Sequence, residues 1–432
     1  MKFLVKSSDV QGKATIPSSK SNTTRGVIFA TLAEGQSVLR NALPSRDCLS
    51  TVSVCRGVGA EVETNLNTAT WTIKGTGPAP SIPNGVLDVG NSGTTLYFMM
   101  ALSALNPSGW SVLTGDYQIC RRPAAPLIQA INALGGSAFS TRDNGSAPVV
   151  IKGRMKGGSA ELPGINSQWL TPLLSTAPLL DEDTHIDVKN LMERGYVQMT
   201  LDWMARSGVK YANENFEHFT VYGRQQYLPF DAAVPGDWES AAFVLVAAAI
   251  TNSEVEVYGL DLNDAQEDKQ LVDILKAMGA DISVIDPKNS VLCIRGGRQL
   301  KGLEIDCCDL PDMPPALAVL ATQAAGKTVL YNLEASRLKE TNRPKSITEE
   351  LQKMGAHIVD DGKTVTIEQS DLHGALIDGH HDHRIVMATT VAGLVAQGPT
   401  IVDHAEYAAI SFPNFYEVMT NLGASIQRVQ PA

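Results

Sequence analysis

Two short stretches gather the charged residues best suited to chemistry. In ASRLKETNRPKS, residues 335–346, four cations (Arg337, Lys339, Arg343 and Lys345) surround one carboxylate, Glu340, where a helix begins. Cations oppose the dipole at a helix N-terminus. Their collection there predicts an anionic ligand lying between them, although a solvated charged helix start is the plainer reading. In DGHHDHR, Asp382, His383 and Arg384 stand at another helix start. His380, His381 and His383 resemble a metal tract, but no Cys or Glu partner stands at ligand spacing, so no metal is expected. Asp312, in the Pro-rich LPDMPP, offers a third carboxylate, for chemistry or merely as a helix cap.

Similar groups recur at other helix starts: Lys20, Ser21 and Arg25, then Asn91 and Thr94, Ser167 and Gln168, and Asp237 and Ser240. Asp47, Arg122 and Arg194 fall in loops before further helices. Free backbone N–H groups and aligned dipoles converging on one place make an anion-binding arrangement.

These groups are positioned by a repeated unit. The endings CRGVGAEV, INALGGSAF, ARSGVKY, KAMGADISV, QKMGAHIV and TNLGASIQ place marker glycines at 59, 135, 208, 279, 355 and 423, about 70 residues apart. Each ending predicts a helix closed by a C-terminal Gly and followed by a β-branched strand. Upstream of each lie an Ala-rich apolar helix and another strand, as in SAAFVLVAAAI before EVEVYGL. The unit is helix, strand, loop, helix, strand, strand, and six such units suit two lobes of three in an α/β fold.

The chain has 432 residues, 44% apolar, and a net charge of -11. That balance argues against non-specific binding to nucleic acid or anionic membrane, so basic clusters are local devices. MKFLVKSSDV lacks a signal-peptide core, and no apolar run reaches membrane-spanning length, which predicts a cytoplasmic protein. Six cysteines without C-x-x-C or ligand spacing predict reduced, mostly buried thiols.

IPSSKSNTTR, GNSGTT, RRPAAPLIQAINALG, SQWLTPLL, LPD, RLKETNR and HDHR together resemble the enolpyruvyl transferases, over nearly the whole chain. The resemblance implies a two-lobed inside-out α/β barrel of six βαβαββ repeats, three per lobe. Lobe one would comprise residues 1–16 and 230–432, lobe two 17–229, with the active site in the cleft between them. It implies transfer of the enolpyruvyl group of phosphoenolpyruvate to the 5-hydroxyl of shikimate-3-phosphate by a monomer, without cofactor or metal. Lys20, Asp312 and Glu340 match the catalytic positions. Lys20, Gly93, Arg122, Gln168, Arg343 and Arg384 match the phosphoenolpyruvate site. Lys20, Ser21, Arg25, Ser167, Gln168, Arg194, Asp312 and Lys339 match the shikimate-3-phosphate site. The resemblance assigns Asp312 to the acceptor hydroxyl and Glu340 with Lys20 to proton traffic at phosphoenolpyruvate.

The chain departs from the family pattern at four places. Tyr97 and Ile410 stand where cations are usual, Glu239 where a serine is usual and Asn342 where an aspartate is usual. Two cations lost and an anion gained predict weaker phosphoenolpyruvate binding. They also keep open a diverged enzyme acting on a different phosphorylated or hydroxylated carbocycle. A sister branch acting on UDP-N-acetylglucosamine fits less well: it begins Lys-Asn, against Lys20-Ser21 here, and carries its loop cysteine or aspartate further from the arginine than Cys120 is from Arg122.

Overall fold

A computed structural model describes residues 1–430, which fall into two compact units. One unit is Met1–Pro17 with the chain from Pro235 onward; the other is Ser18–Val234. Twelve α-helices run along the described residues: α1 (Lys20–Leu32), α2 (Arg46–Gly57), α3 (Gly93–Ser103), α4 (Ala125–Ala133), α5 (Ser167–Thr176), α6 (Arg194–Arg206), α7 (Trp238–Ile250), α8 (Leu271–Ala277), α9 (Pro314–Thr322), α10 (Arg343–Lys353), α11 (His383–Gly393) and α12 (Phe415–Asn421).

Each odd-numbered helix opens a repeat and each even-numbered helix closes its second half. The six four-stranded sheets among the described residues share one order. In the second repeat, Leu87–Asp88 pairs in parallel with Trp110–Thr114, which pairs antiparallel with Val149–Lys152, which pairs antiparallel with Ser137–Ser140. The strand ahead of the first helix is absent from the pattern read directly from the residues. Here it has only two residues, too few for an alternation to register.

Three sheets borrow strands from far along the chain. Asp231–Ala233 pairs in parallel with Gln36–Arg40, Gln11–Thr15 pairs in parallel with Glu254–Tyr258, and Lys2–Lys6 lies between Thr400–Val402 and Ser425–Val429. The first of these pairings corrects the expected lobe boundary: residues 230–234 belong with the second unit, because their backbone completes its sheet. Pro17 falls with the first unit.

The marker glycines lie at positive φ, from 83° at Gly208 to 104° at Gly59. At Gly59 the glycine N–H donates to Arg56 and the following N–H to Cys55; Gly355 repeats this with Gln352 and Leu351. This Schellman pairing satisfies carbonyls that a helix end leaves open, and left-handed backbone favours Gly there. Each helix thereby stops abruptly and reverses into a strand.

The odd-numbered helices are buried on nearly every side. In the first unit α7, α9 and α11 pack against one another. Alanines dominate WESAAFVLVAAAI and PPALAVLAT, which brings backbones close and leaves no polar face for solvent. Strands such as Lys2–Lys6 alternate buried and half-buried positions, so the sheets cover the helices with one face. The polar residues of the buried helices therefore concentrate in their first turns.

Candidate active site

In the second unit, a chain of polar contacts joins the first turns of five helices. Ser19 caps α1, accepting from the Asn22 N–H, and directs Lys20 toward α2, where its Nζ lies 3.2 Å from Asp47 Oδ2. The Thr51 and Thr95 hydroxyls, 2.7 Å apart, tie α2 to α3. Gln168 Nε2 at the start of α5 donates to Thr94 Oγ1 at 2.9 Å. Ser167 gives both its N–H and its hydroxyl to Glu193 Oε2, at 2.8 and 2.6 Å. Arg25 is buried, donating to Thr200 Oγ1, the Ser21 carbonyl and the Tyr196 carbonyl. Burial pulls the Arg25 guanidinium down to about 10, against the attraction of Tyr196 and Glu193.

Arg122 is buried beside the first residue of α3. A side chain at Gly93 would run into its guanidinium, so Gly is required for space rather than for an unusual backbone angle. The turn carrying Arg122 is pinned at the Pro123 carbonyl, which accepts from Tyr97 Oη at 2.9 Å and from Trp169 Nε1 at 3.0 Å.

In the first unit, Arg343 is the hub. Its side chain is 1% exposed, and it meets three carboxylates. Nε donates to Asp382 Oδ2 at 2.9 Å, while Nη1 pairs with Asp312 and Nη2 with Glu340. Burial opposes its charge, but the attraction of Asp382, Glu340 and Asp312 prevails and holds the guanidinium above its ordinary range. Arg384 pairs with Glu239 and lies 3.3 Å from Asp312, whose other oxygen is 3.6 Å from Lys339 Nζ. Asp382 also caps α11, accepting from the Arg384 N–H at 2.9 Å. Among the described residues, no group of three or more His, Cys, Asp and Glu is arranged to hold a metal ion.

The arrangement supplies buried guanidinium groups beside carboxylates, suited to binding anions and moving protons. The profile of the EPSP synthase family, described as EPSP synthase (3-phosphoshikimate 1-carboxyvinyltransferase), matches residues 4–419. The chain belongs to the EPSP synthase family. A relative from Ruminiclostridium cellulolyticum, named 3-phosphoshikimate 1-carboxyvinyltransferase, is 45% identical over 98% of this chain and 99% of its own. One of the same name from Methanocaldococcus jannaschii is 41% identical, with coverage of 98% and 99%. A solved EPSP synthase structure from Acinetobacter baumannii superposes with a TM-score of 0.84 at 28% identity, covering 99% of this chain and all of that one.

Against the EPSP synthase pattern, the structure gives three of the four departures a local partner. Tyr97 is buried and supports the Arg122 turn. Asn342 caps α10, accepting from the Lys345 N–H, a task the usual aspartate performs equally. Glu239 pairs with Arg384, and Ile410 is buried. The 335–346 cluster differs from its sequence reading, in which an absent ligand balances the cations. Internal carboxylates already balance them: Arg337 is paired with Asp360, Arg343 with its three acids and Lys339 with Asp312. Pairing offsets the cost of burying the Arg343 charge. Asp312 is no helix cap, since α9 is preceded by Met313 and has no side-chain cap. Arg194 is exposed at the first turn of α6. Sequence reasoning missed Glu193. In LMERGY an adjacent acid and base look like ordinary surface charge, and nothing local points to Ser167, 26 residues earlier.

Proposed function

We propose that this protein transfers the enolpyruvyl group of phosphoenolpyruvate to the 5-hydroxyl of shikimate-3-phosphate and releases inorganic phosphate. Full-length membership in a family whose relatives carry that activity in their names is the observation that carries this reading. The buried guanidinium and carboxylate groups support it.

Phosphoenolpyruvate presents a carboxylate and a phosphate, and guanidinium groups clamp either in bidentate fashion. In this reading Arg122, Arg343 and Arg384 hold them, with Lys20, Gln168 and the space at Gly93. Lys20, Ser21, Arg25, Ser167, Gln168, Arg194, Asp312 and Lys339 hold the acceptor. Asp312 takes the proton of the 5-hydroxyl as its oxygen bonds to C2 of phosphoenolpyruvate. A proton from Glu340 or Lys20 reaches the methylene carbon, making a methyl group. Elimination then breaks the bond between C2 and the phosphate oxygen and returns that proton, restoring the double bond, while the proton held by Asp312 leaves with the phosphate. Arg343 touches both Asp312 and Glu340, so its charge stabilises either acid when ionised.

The protein is further proposed to act as a cytoplasmic monomer; no described helix is long and apolar enough to cross a membrane. The test is phosphate release by purified protein given both substrates, with mass spectrometry of the product. Release requiring both substrates, with an enolpyruvyl adduct, supports the reading. A folded protein that makes no product favours the diverged acceptor.

A further inference from the structure

We propose that Glu193 is an internal occupant of the acceptor's phosphate site, holding Ser167 in the unliganded protein and withdrawing before shikimate-3-phosphate binds. This rests on the function proposed above, in which Ser167 is among the residues that hold the acceptor, and it places Ser167 at the acceptor's phosphate.

The Glu193 carboxylate is buried and takes two hydrogen bonds from one serine, at the first residue of a ten-residue helix. Backbone N–H groups and the dipole favour an anion there. The carboxylate thus fills the place of a phosphate oxygen, and the two anions cannot share the Ser167 donors without like-charge repulsion. Glu193 also sits at φ 60° and ψ 40°, in the left-handed region. That conformation is unfavourable for a non-glycine residue, and the bonds to Ser167 offset its cost. Glu193 directly precedes Arg194 at the start of α6, and the buried Arg25 feels its charge. Withdrawal would therefore exchange one anion for another within reach of Arg25. Glu193 acts as a specificity-determining residue: an acceptor without a phosphate gains nothing by displacing it.

The decisive variants are Glu193→Asn, which tolerates left-handed backbone but is too short to reach Ser167, and Glu193→Gln, which keeps the length and loses the charge. If the displaced form is a tenth of the resting population, Glu193→Asn lowers KM for shikimate-3-phosphate by about tenfold, with kcat and KM for phosphoenolpyruvate unchanged. Glu193→Gln falls between. A variant that melts like the wild type with an unchanged or higher acceptor KM overturns the proposal. Should both variants fail to fold, hydrogen exchange in the wild type decides: shikimate-3-phosphate should speed exchange around residues 190–196, and unaltered exchange overturns the proposal. If the wild type releases no phosphate, the proposed function fails by itself. Calorimetric titration of shikimate-3-phosphate still tests Glu193, since tighter binding to Glu193→Asn supports the occupant and equal binding removes it.

Discussion

Arg343 has neighbours that set opposite requirements for folding and for binding. With Asp382, Asp312 and Glu340 around one buried guanidinium, Arg343→Met would leave carboxylates buried without their counter-charge. Breaking such a group costs about 3–5 kcal/mol. Urea denaturation of Arg343→Met should register a loss of that size, and a loss below ~1 kcal/mol would refute the network's structural weight. Glu239 is the opposite case, because under the proposed function its pairing with Arg384 competes with a substrate anion. Replacing it by Ser removes a charged contact worth ~1.5 kcal/mol. Steady-state kinetics should then give a KM for phosphoenolpyruvate lower by about tenfold at similar kcat. The cations were legible in the sequence, because positive charge at helix starts is unusual enough to stand out, and Asp312 because LPD belongs to the family pattern. Their partners were not, because Asp382 meets Arg343 from 39 positions away and Glu239 meets Arg384 from another repeat.

Helix ends, rather than helix bodies, define this fold, and one loop deserves a pH test on that ground. Glu350 of α10 accepts from His380 Nε2 at 2.7 Å and from the Asp378 N–H at 3.0 Å, and also pairs with Lys353. This clamps the loop before α11 onto the helix that begins with Arg343. The hydrogen bond to Glu350 raises His380 above its ordinary 6.5, despite partial burial. Burial works to raise Glu350, but His380 and Lys353 hold it below 4.5. A raised histidine contributes stability fully below pH 6.5, and that contribution is lost as pH climbs through the folded value. A depressed carboxylate contributes above pH 4.5 and loses its share as pH falls. The wild-type melting temperature should therefore decline from pH 6 to 8 more steeply than that of His380→Gln, and parallel profiles would sink the clamp. The second helices and their glycines could be read from the sequence because a C-terminal Gly at fixed spacing has one structural meaning. The leading strands could not: Leu87–Asp88 and Leu376–Ile377 acquire their identity only from a parallel partner beyond the intervening helix.

The two units are interleaved along the chain, since Met1–Pro17 belongs with everything after Pro235. Lys2–Lys6 lies between Thr400–Val402 and Ser425–Val429, pairing with both, and Gln11–Thr15 closes the edge beside Glu254–Tyr258. Deleting residues 1–16 strips strands from two sheets of one unit and none from the other. Limited proteolysis of that deletion should degrade the part after Pro235 while a fragment near 18–234 survives; equal loss of both would contradict the division. The same interleaving has a consequence for synthesis. The ribosome delivers Lys2–Lys6 long before its partner Ser425–Val429, and at about 5–20 residues per second the wait is on the order of tens of seconds. Through that interval KFLVK is an unpaired apolar strand, able to join the wrong edge. The lysine at each end acts as a gatekeeper, keeping the nascent segment soluble until its own sheet exists.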